Sequence, residues 1–288
     1  MPTISIPGKT FLIGEYAVLQ GGSALILCTQ PCFVLKTTPA EKLQHPFHPQ
    51  SPAGKWITLH TDDFKHQTLE WTSPYPQGGF GASTAEFLAC YKLQQQLTQA
   101  EASTDWRELL KTYQELAYDK HGIPPSGADL VAQNYEKIVY FQPDNDPVTM
   151  DWPFADLSLC IFKTPIKVPT HDHLKNLQKL PNTAQLAQIT LQAHGALKQN
   201  HPEHFIQAIN QYADELENQH LTIDSTKHLL QNMKQHPACL AAKGCGALGA
   251  DVITTIIHQK QEEDFKQITE KLGLISIASH QNLFKKVY

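Results

Sequence analysis

Arginine is almost missing from this chain. Arg107 is the single arginine among 23 basic residues in a length of 288. Bidentate guanidinium clamps on phosphate are therefore scarce, and lysines or backbone amides must hold any anion. The 28 acidic residues leave a formal net charge of -5, which argues against nucleic acid as the partner. No run of about 18 apolar residues occurs, so no membrane-spanning helix is expected. Met1 to Lys9 lacks a basic stretch followed by an apolar one, so no secretory leader is expected and the cytoplasm is the expected compartment. None of the six cysteines forms a CxxC pair, and Cys28 and Cys32, around Pro31, have no second pair at zinc-ribbon spacing. Cys28, Cys160 and Cys239 sit in apolar runs; buried thiols in a reducing compartment are the expectation. Internal repeats and low-complexity segments are absent too, which excludes solenoids and arrays.

What remains is a chain 41% hydrophobic, long enough for two modest domains or one large one. The first part is strand-rich: Thr3 to Ile6, broken by Pro7-Gly8, then Thr10 to Leu19, Ser23 to Thr29 after a Gly21-Gly22 turn, and Phe33 to Thr37. Residues 39–55, rich in Pro, His and Gln, read as an exposed loop, and Trp56 to His60 with Thr68 to Trp71 as a strand pair. Helices are expected over 83–98 and 105–120, with Asp105 as N-cap of the second. A turn over Gly122 to Gly127, a short helix from Ala128 to Asn134 and a strand from Glu136 to Phe141 follow. The polar, proline-broken stretch from Pro143 to Pro153 marks a boundary between domains 1–150 and 151–288. Beyond it come a strand (Leu157 to Phe162), helices near 171–180, 183–198, 202–217 and 223–235, strands Ala238 to Ala242 and Val252 to His258, a helix Glu262 to Leu272 and a final strand Leu274 to Ile277. Strands interleaved with paired helices indicate an α+β sandwich.

Four segments carry chemistry. In Pro76-Gln77-Gly78-Gly79-Phe80-Gly81-Ala82-Ser83-Thr84, glycines precede a helix start, so converging backbone N–H groups and the helix dipole favour an anion. No lysine follows as in a Walker A loop, and GxGxxG is not matched. A simple turn is the plain alternative. In Pro7-Gly8-Lys9 the lysine is either solvent-facing or a point charge beside a transferred phosphoryl group. Glu15, after Gly14, is either a buried charge needing a partner or an edge residue. In Ser126-Gly127-Ala128-Asp129 the aspartate occupies the first turn of a helix, where a carboxylate is stabilising in itself; the alternative is a carboxylate that orients an acceptor oxygen or pairs with Lys9. The glycine-rich turn over 244–249 is a tight crossing or a second backbone wall against a ligand.

In this order the segments resemble the GHMP kinase superfamily, named for galacto-, homoserine, mevalonate and phosphomevalonate kinases, over nearly the whole chain. Pro7-Gly8-Lys9 with Gly14-Glu15-Tyr16-Ala17-Val18 resembles the first motif of the mevalonate-pathway members; Tyr16 is more typical of phosphomevalonate kinases than of mevalonate kinases. Gly79-Phe80-Gly81-Ala82-Ser83-Thr84-Ala85 resembles the glycine-rich part of P-x-x-x-G-L-G-S-S-A, with Phe80, Ala82 and Thr84 as departures. Lys243-Gly244-Cys245-Gly246-Ala247-Leu248-Gly249-Ala250-Asp251 resembles K-x-x-G-A-G-G-G-D, with Leu248 and Ala250 in place of glycines; Asp251 again leans toward the phosphomevalonate branch.

The resemblance implies two α+β domains, the first ribosomal-S5-like and the second ferredoxin-like. It implies ATP and Mg2+ as cofactors, with ATP against Gly78, Gly79, Gly81, Ala82, Ser83 and Thr84. Ser83 would hold Mg2+. Lys9 and Asp129 would be the catalytic pair. A small-molecule acceptor would meet Tyr16, Ser126, Gly127, Thr170, Gly246 and Ala247, with Lys163 or Lys167 answering a substrate phosphate. The magnesium-binding glutamate of mevalonate kinases falls by spacing near Ala117 or Tyr118; Glu115 is the nearest carboxylate candidate and, like Asp119, is off register. The implied reaction is transfer of the ATP γ-phosphoryl to 5-phosphomevalonate, with mevalonate as the alternative acceptor and a nucleotide-binding homologue without turnover as the non-enzymatic reading. A monomer or homodimer engaging neither nucleic acid nor membrane completes the expectation.

Overall fold

The computed structural model describes residues 2–75, 79–99, 105–165 and 182–284. The helix expected near 171–180, Thr170 and Gly78 lie outside them. The first sheet is built from β1 (Thr3–Ile13), β2 (Ala24–Pro39), β3 (Gln67–Thr72), β4 (Ile138–Phe141) and β5 (Val148–Met150). Its order is β1-β2-β4-β5, with β3 added to the far half of β2, and every pairing is antiparallel. The β2 run Ala24-Leu25-Ile26-Leu27-Cys28 is apolar on both faces because both are covered. Leu25 and Leu27 enter the main core; Ala24, Ile26 and Cys28 enter a second one with Val131, Ala132 and Phe141.

The helices on this sheet are α1 (Pro52–Leu59), α2 (Thr61–Phe64), α3 (Ala82–Thr98), α4 (Trp106–Ala117) and α5 (Ala128–Tyr135). Asp105 caps α4 as expected, its carboxylate accepting from the Arg107 N–H at 2.9 Å. Trp106, Leu109 and Tyr113 form the buried stripe of that helix.

Three sequence expectations are corrected here. Pro7-Gly8 does not break β1: the strand continues through a register slip in which Pro7 faces Cys32 and Gly8 faces Thr29, a bulge that tolerates a residue with no N–H to donate. Trp56 to His60 is not a strand, and residues 39–55 are not all loop. Ser51 caps a helix with Pro52 in its first turn, and Ala53, Trp56 and Ile57 are buried at helical spacing. The apolar run alone could not separate the two periods.

The second sheet contains β6 (Leu157–Lys163), β7 (Cys239–Cys245), β8 (Val252–His258) and β9 (Ile275–Ser279) in the antiparallel order β7-β8-β6-β9. With α6 (Thr183–Lys198), α7 (Pro202–Asn218), α8 (Asp224–Lys234) and α9 (Glu262–Lys271), this is the ferredoxin-like arrangement. Residues 283–284 leave it to join the first sheet: the Phe284 N–H donates to the Cys28 carbonyl at 2.8 Å, and the Lys137 N–H donates to the Phe284 carbonyl at 3.1 Å. Among the described residues no helix is long and apolar enough to cross a membrane.

The two sheets are locked by a buried charge. Glu15, in the turn after β1, takes Lys243 of β7 as its partner, and the Lys243 side chain is fully buried. The ammonium also donates to the Gly244 carbonyl at 2.8 Å and lies 5.4 Å from the centre of the Tyr212 ring. Nearby, the Leu248 N–H donates to the Tyr16 hydroxyl at 3.3 Å. Removing one member of such a pair strands the other charge in a dry interface, which costs about 3–5 kcal/mol, whereas replacing both by apolar groups is often neutral. Lys243→Met is therefore expected to lower the urea midpoint sharply, and Lys243→Met with Glu15→Leu to recover most of the loss. A single variant as stable as wild type would show that the pair does not hold the sheets together.

Candidate active site

Lys9 lies in β1 just past the bulge, opposite Cys28 of β2. Its Nζ lies 2.7 Å from Asp129 Oδ2 in the first turn of α5 and 4.9 Å from the centre of the Phe11 ring. Its backbone N–H donates to the Phe80 carbonyl at 2.9 Å. One residue thus joins the strand, the glycine loop and the aspartate. Tyr75 lies over Gly8, leaving no room there for a Cβ. Its hydroxyl donates to the Pro31 carbonyl at 2.8 Å, and its ring stacks on Phe80 at 4.2 Å.

The loop is left-handed at Gly79, Phe80 and Gly81, with φ of 89°, 53° and 78°. Glycine is required at 81 on two counts, because a Cβ there would also come within 2.8 Å of Lys9 Cγ and 2.9 Å of Gln133 Nε2. Ala82 opens α3, where the first backbone N–H groups lack helical acceptors. Ser83 is exposed at that start, while Thr84 is buried. Glu86, one turn on, is half-buried, and burial raises its carboxyl above the usual range.

Gln133 is the residue that sequence reasoning missed. It is fully buried. Its amide donates to the Pro7 carbonyl at 2.9 Å and the Gly81 carbonyl at 3.3 Å, and its oxygen accepts from the Thr84 hydroxyl at 2.6 Å. Thr84 takes part as well, its Oγ1 lying 2.9 Å from the Gly81 carbonyl. Gln133 stands four residues after Asp129, hence on the same side of α5, and this spacing was the available signal.

The Ser126-Gly127 turn starts α5. Gly127 has φ 68° and packs against Leu110, which leaves no space for a Cβ. The Ser126 hydroxyl accepts from the Ala128 N–H at 3.3 Å, and Gln114 holds the turn by donating to the Pro125 carbonyl at 3.0 Å. Ser126 also lines a cavity of about 410 Å3 with Val18, Leu110, Phe141, Arg107 and Lys111. Arg107 is engaged there by Asp146 at 2.8 Å and lies over the Trp106 ring at 4.4 Å. Hydrogen bonds from Trp106 and Arg107 hold the Asp146 carboxyl below its ordinary range.

The third turn follows β7. Gly246 and Gly249 are left-handed, with φ of 87° and 65°, and so is Leu248 at 54°. A leucine pays strain there that glycine would not. The turn is pinned by the Ile223 N–H donating to the Leu248 carbonyl at 3.1 Å, and by the Thr226 hydroxyl donating to the Gly249 carbonyl at 3.3 Å. Ala247 contributes its backbone to this turn. Tyr16, expected against the acceptor, is a core residue at 3% exposure and offers only its hydroxyl end, toward Leu248; burial raises that hydroxyl above its ordinary pKa. Glu115 is exposed on α4, about 200° around the helix from the buried Tyr113, and therefore faces away from the packed side.

The Gln133 network has a direct test. Leucine at 133 would leave the Pro7 carbonyl without its Gln133 donor in a dry setting, a loss of about 1–3 kcal/mol. Gln133→Leu and Thr84→Val share a partner, so their combined cost in urea unfolding is expected to fall below the sum. Strict additivity would show that the two side chains do not act together.

No protein-family model and no curated protein sequence matches the chain. Solved structures do. The phosphomevalonate kinase of Streptococcus pneumoniae, in complex with phosphomevalonate and AMPPNP, superposes with a TM-score of 0.82 at 16% identity, over 97% of this chain and 99% of that one. The mevalonate kinase of Methanococcus jannaschii gives 0.77 at 14%, over 99% and 98%. The galactokinase of Lactococcus lactis, complexed with galactose, gives 0.72 at 12%, over 95% and 92%. At these identities the likeness is one of fold, and the chain has the two-domain α+β architecture of the GHMP kinases.

Proposed function

We propose that this chain is an ATP-dependent small-molecule kinase of the mevalonate-pathway branch, transferring the ATP γ-phosphoryl to the phosphate of 5-phosphomevalonate. The observation that carries the reading is the 2.7 Å Lys9–Asp129 pair, tied through the Lys9 N–H to the Phe80 carbonyl of the glycine loop. Phosphoryl transfer asks the protein mainly for positioning and charge neutralisation. In this reading the α3 start and the loop amides hold the nucleotide phosphates. Lys9 neutralises charge on the moving phosphoryl group. Asp129 fixes the Lys9 ammonium and orients the acceptor oxygen. The bond from the γ-phosphorus to the β,γ-bridging oxygen breaks, the bond from the acceptor oxygen to that phosphorus forms, and ADP leaves.

Mg2+ suits the donors present. Ser83 offers an exposed hydroxyl at the loop, and the described residues contain no cluster of three His, Cys, Asp or Glu side chains. That sparse, oxygen-based supply fits an ion that keeps water and substrate phosphates as ligands. When bound, the ion neutralises charge on the nucleotide phosphates.

The Tyr16 and Asp251 resemblances support the phosphorylated acceptor. A specific observation favours mevalonate as the second reading: Arg107, the single guanidinium, is already committed to Asp146. A coupled ADP-release assay with (R)-mevalonate and (R)-5-phosphomevalonate in parallel decides between them. Saturable turnover with the phosphorylated acceptor is expected; turnover with mevalonate alone selects the second reading. Silence with both, alongside nucleotide binding, would select a homologue without turnover. Asp129→Ala and Lys9→Met are each expected to lower turnover by about 100-fold or more while changing nucleotide affinity far less. Unchanged turnover in Asp129→Ala would remove the aspartate from the mechanism.

A further inference from the structure

Phe284 holds two elements at once. Its N–H donates to the Cys28 carbonyl of β2 at 2.8 Å, and its carbonyl accepts from the Lys137 N–H at 3.1 Å. The Cys28 N–H closes the ring by donating to the Lys137 carbonyl at 2.7 Å. Cys28 stands opposite Lys9. Lys137 lies just beyond the end of α5, the helix whose first turn carries Asp129. Backbone hydrogen bonds thus join the strand of Lys9 to the helix of Asp129, and Phe284 makes one to each side.

Cys28 is where such a hold acts on Lys9. Both backbone groups of Cys28 face Lys137 and Phe284, away from β1. Cys28 and Lys9 are therefore a non-hydrogen-bonded pair, the position at which antiparallel chains approach most closely. The Lys9 N–H points the other way, to the Phe80 carbonyl. Lys9 is seated against β2 by contact with Cys28, not by ladder bonds of its own. The buried Cys28 side chain packs in one cluster with Ala128, Val131 and Ala132 of α5. A shift of Cys28 is felt by both members of the Lys9–Asp129 pair.

The exit from α5 also needs holding. Glu136 and Lys137 are consecutive non-glycine residues with φ of 69° and 61°. Such backbone is costly and persists where surrounding contacts over-determine it; the Lys137 bonds to Phe284 and Cys28 are such contacts. The segment that reaches across is itself well fixed. At the end of β9 the Ser279 hydroxyl accepts from the Gln281 N–H at 3.3 Å, and the Ser279 N–H donates to the Asn282 side chain at 3.0 Å. Leu283 is buried in the main core and bridges to Thr29 of β2.

We infer that Phe284 is a positioning residue for the Lys9–Asp129 pair and acts through its backbone. By filling the ladder beside Cys28 and receiving the Lys137 N–H, it sets the strand and the helix that carry the pair against each other. The inference rests on the phosphotransferase reading above. It makes the second domain, from which this segment arrives, part of the geometry of the site without placing a side chain at the reacting atoms.

The test uses the full chain as wild type, Phe284→Pro, Phe284→Ala and Leu274→Ala. Proline removes the N–H given to Cys28 and keeps the carbonyl. Leu283 already has the ψ of 124° that a residue before proline adopts. Alanine keeps both backbone bonds. Leu274→Ala hollows the core of the second sheet away from the pair and controls for lost stability. With the acceptor that the wild type turns over, Phe284→Pro is expected to lower kcat about ten- to hundredfold, to keep the KM for ATP nearly unchanged, and to speed exchange of the Lys9 amide hydrogen. Phe284→Ala and Leu274→Ala are expected to keep kcat when assayed well below their melting temperatures. Wild-type kcat in Phe284→Pro, an equal loss in Phe284→Ala, or a loss that follows melting temperature across all three variants overturns the positioning role and leaves the kinase reading standing. A wild type that turns over neither mevalonate nor 5-phosphomevalonate overturns the kinase reading. Lys9 amide exchange in Phe284→Pro then reads the hold directly, and exchange at the wild-type rate overturns it.

Discussion

The Glu15–Lys243 pair is the constraint on which the cleft depends. It joins the turn after β1 to β7 in a place from which water is excluded. An ion pair in a dry setting gains little net stability over apolar residues of equal volume, but it tolerates almost no displacement. Its second oxygen, Glu15 Oε2, is buried without a hydrogen-bond partner, so the interface carries an unrecovered polar cost as well. What this arrangement gives is register. Lys243 opens the third glycine-rich segment and Glu15 closes the first, so fixing one against the other places the 246–249 turn across from the strand that carries Lys9.

Within the first domain the same job is done by a neutral amide. Gln133 touches the chain on either side of Lys9's position: Pro7 in β1, Gly81 in the loop and Thr84 in α3. Because Asp129 lies one turn earlier on the same helix, a shift of the loop is transmitted to the aspartate through a short, buried and rigid path. The glycine at 81 is part of this path, since any side chain there would strike both Lys9 and Gln133. Charge sits where it meets a ligand, and uncharged hydrogen bonds set its place.

The legible parts of this structure are local. The glycine loop before α3, the Asp105 cap and the strand-rich character of the first part follow from short stretches of sequence, and the structure contains each of them. Lys9 and Asp129 were legible as candidates because each sits in a short motif. Their pairing is a contact across the fold. Trp56 to His60 failed because four apolar-leaning residues fit either period, and only Pro52 and the Ser51 cap reveal a helix. The distant partners of Gln133 and of Glu15 were beyond reach for another reason. Pro7 and Gln133 stand 126 positions apart, and Glu15 and Lys243 stand 228 apart. No local pattern encodes which distant polar group will meet which when both are buried.

The return of residues 283–284 to the first sheet has a consequence for how the chain is made. Cys28, directly across from Lys9, and Lys137, just before β4, each exchange a backbone hydrogen bond with Phe284. During synthesis the ribosome delivers these groups long before Phe284 emerges. The strand behind the candidate catalytic lysine therefore waits, with a ladder position open to solvent, while the whole second domain is translated. The half of the molecule that is made first is completed last, and its final stitch passes next to the lysine on which the chemistry is proposed to turn.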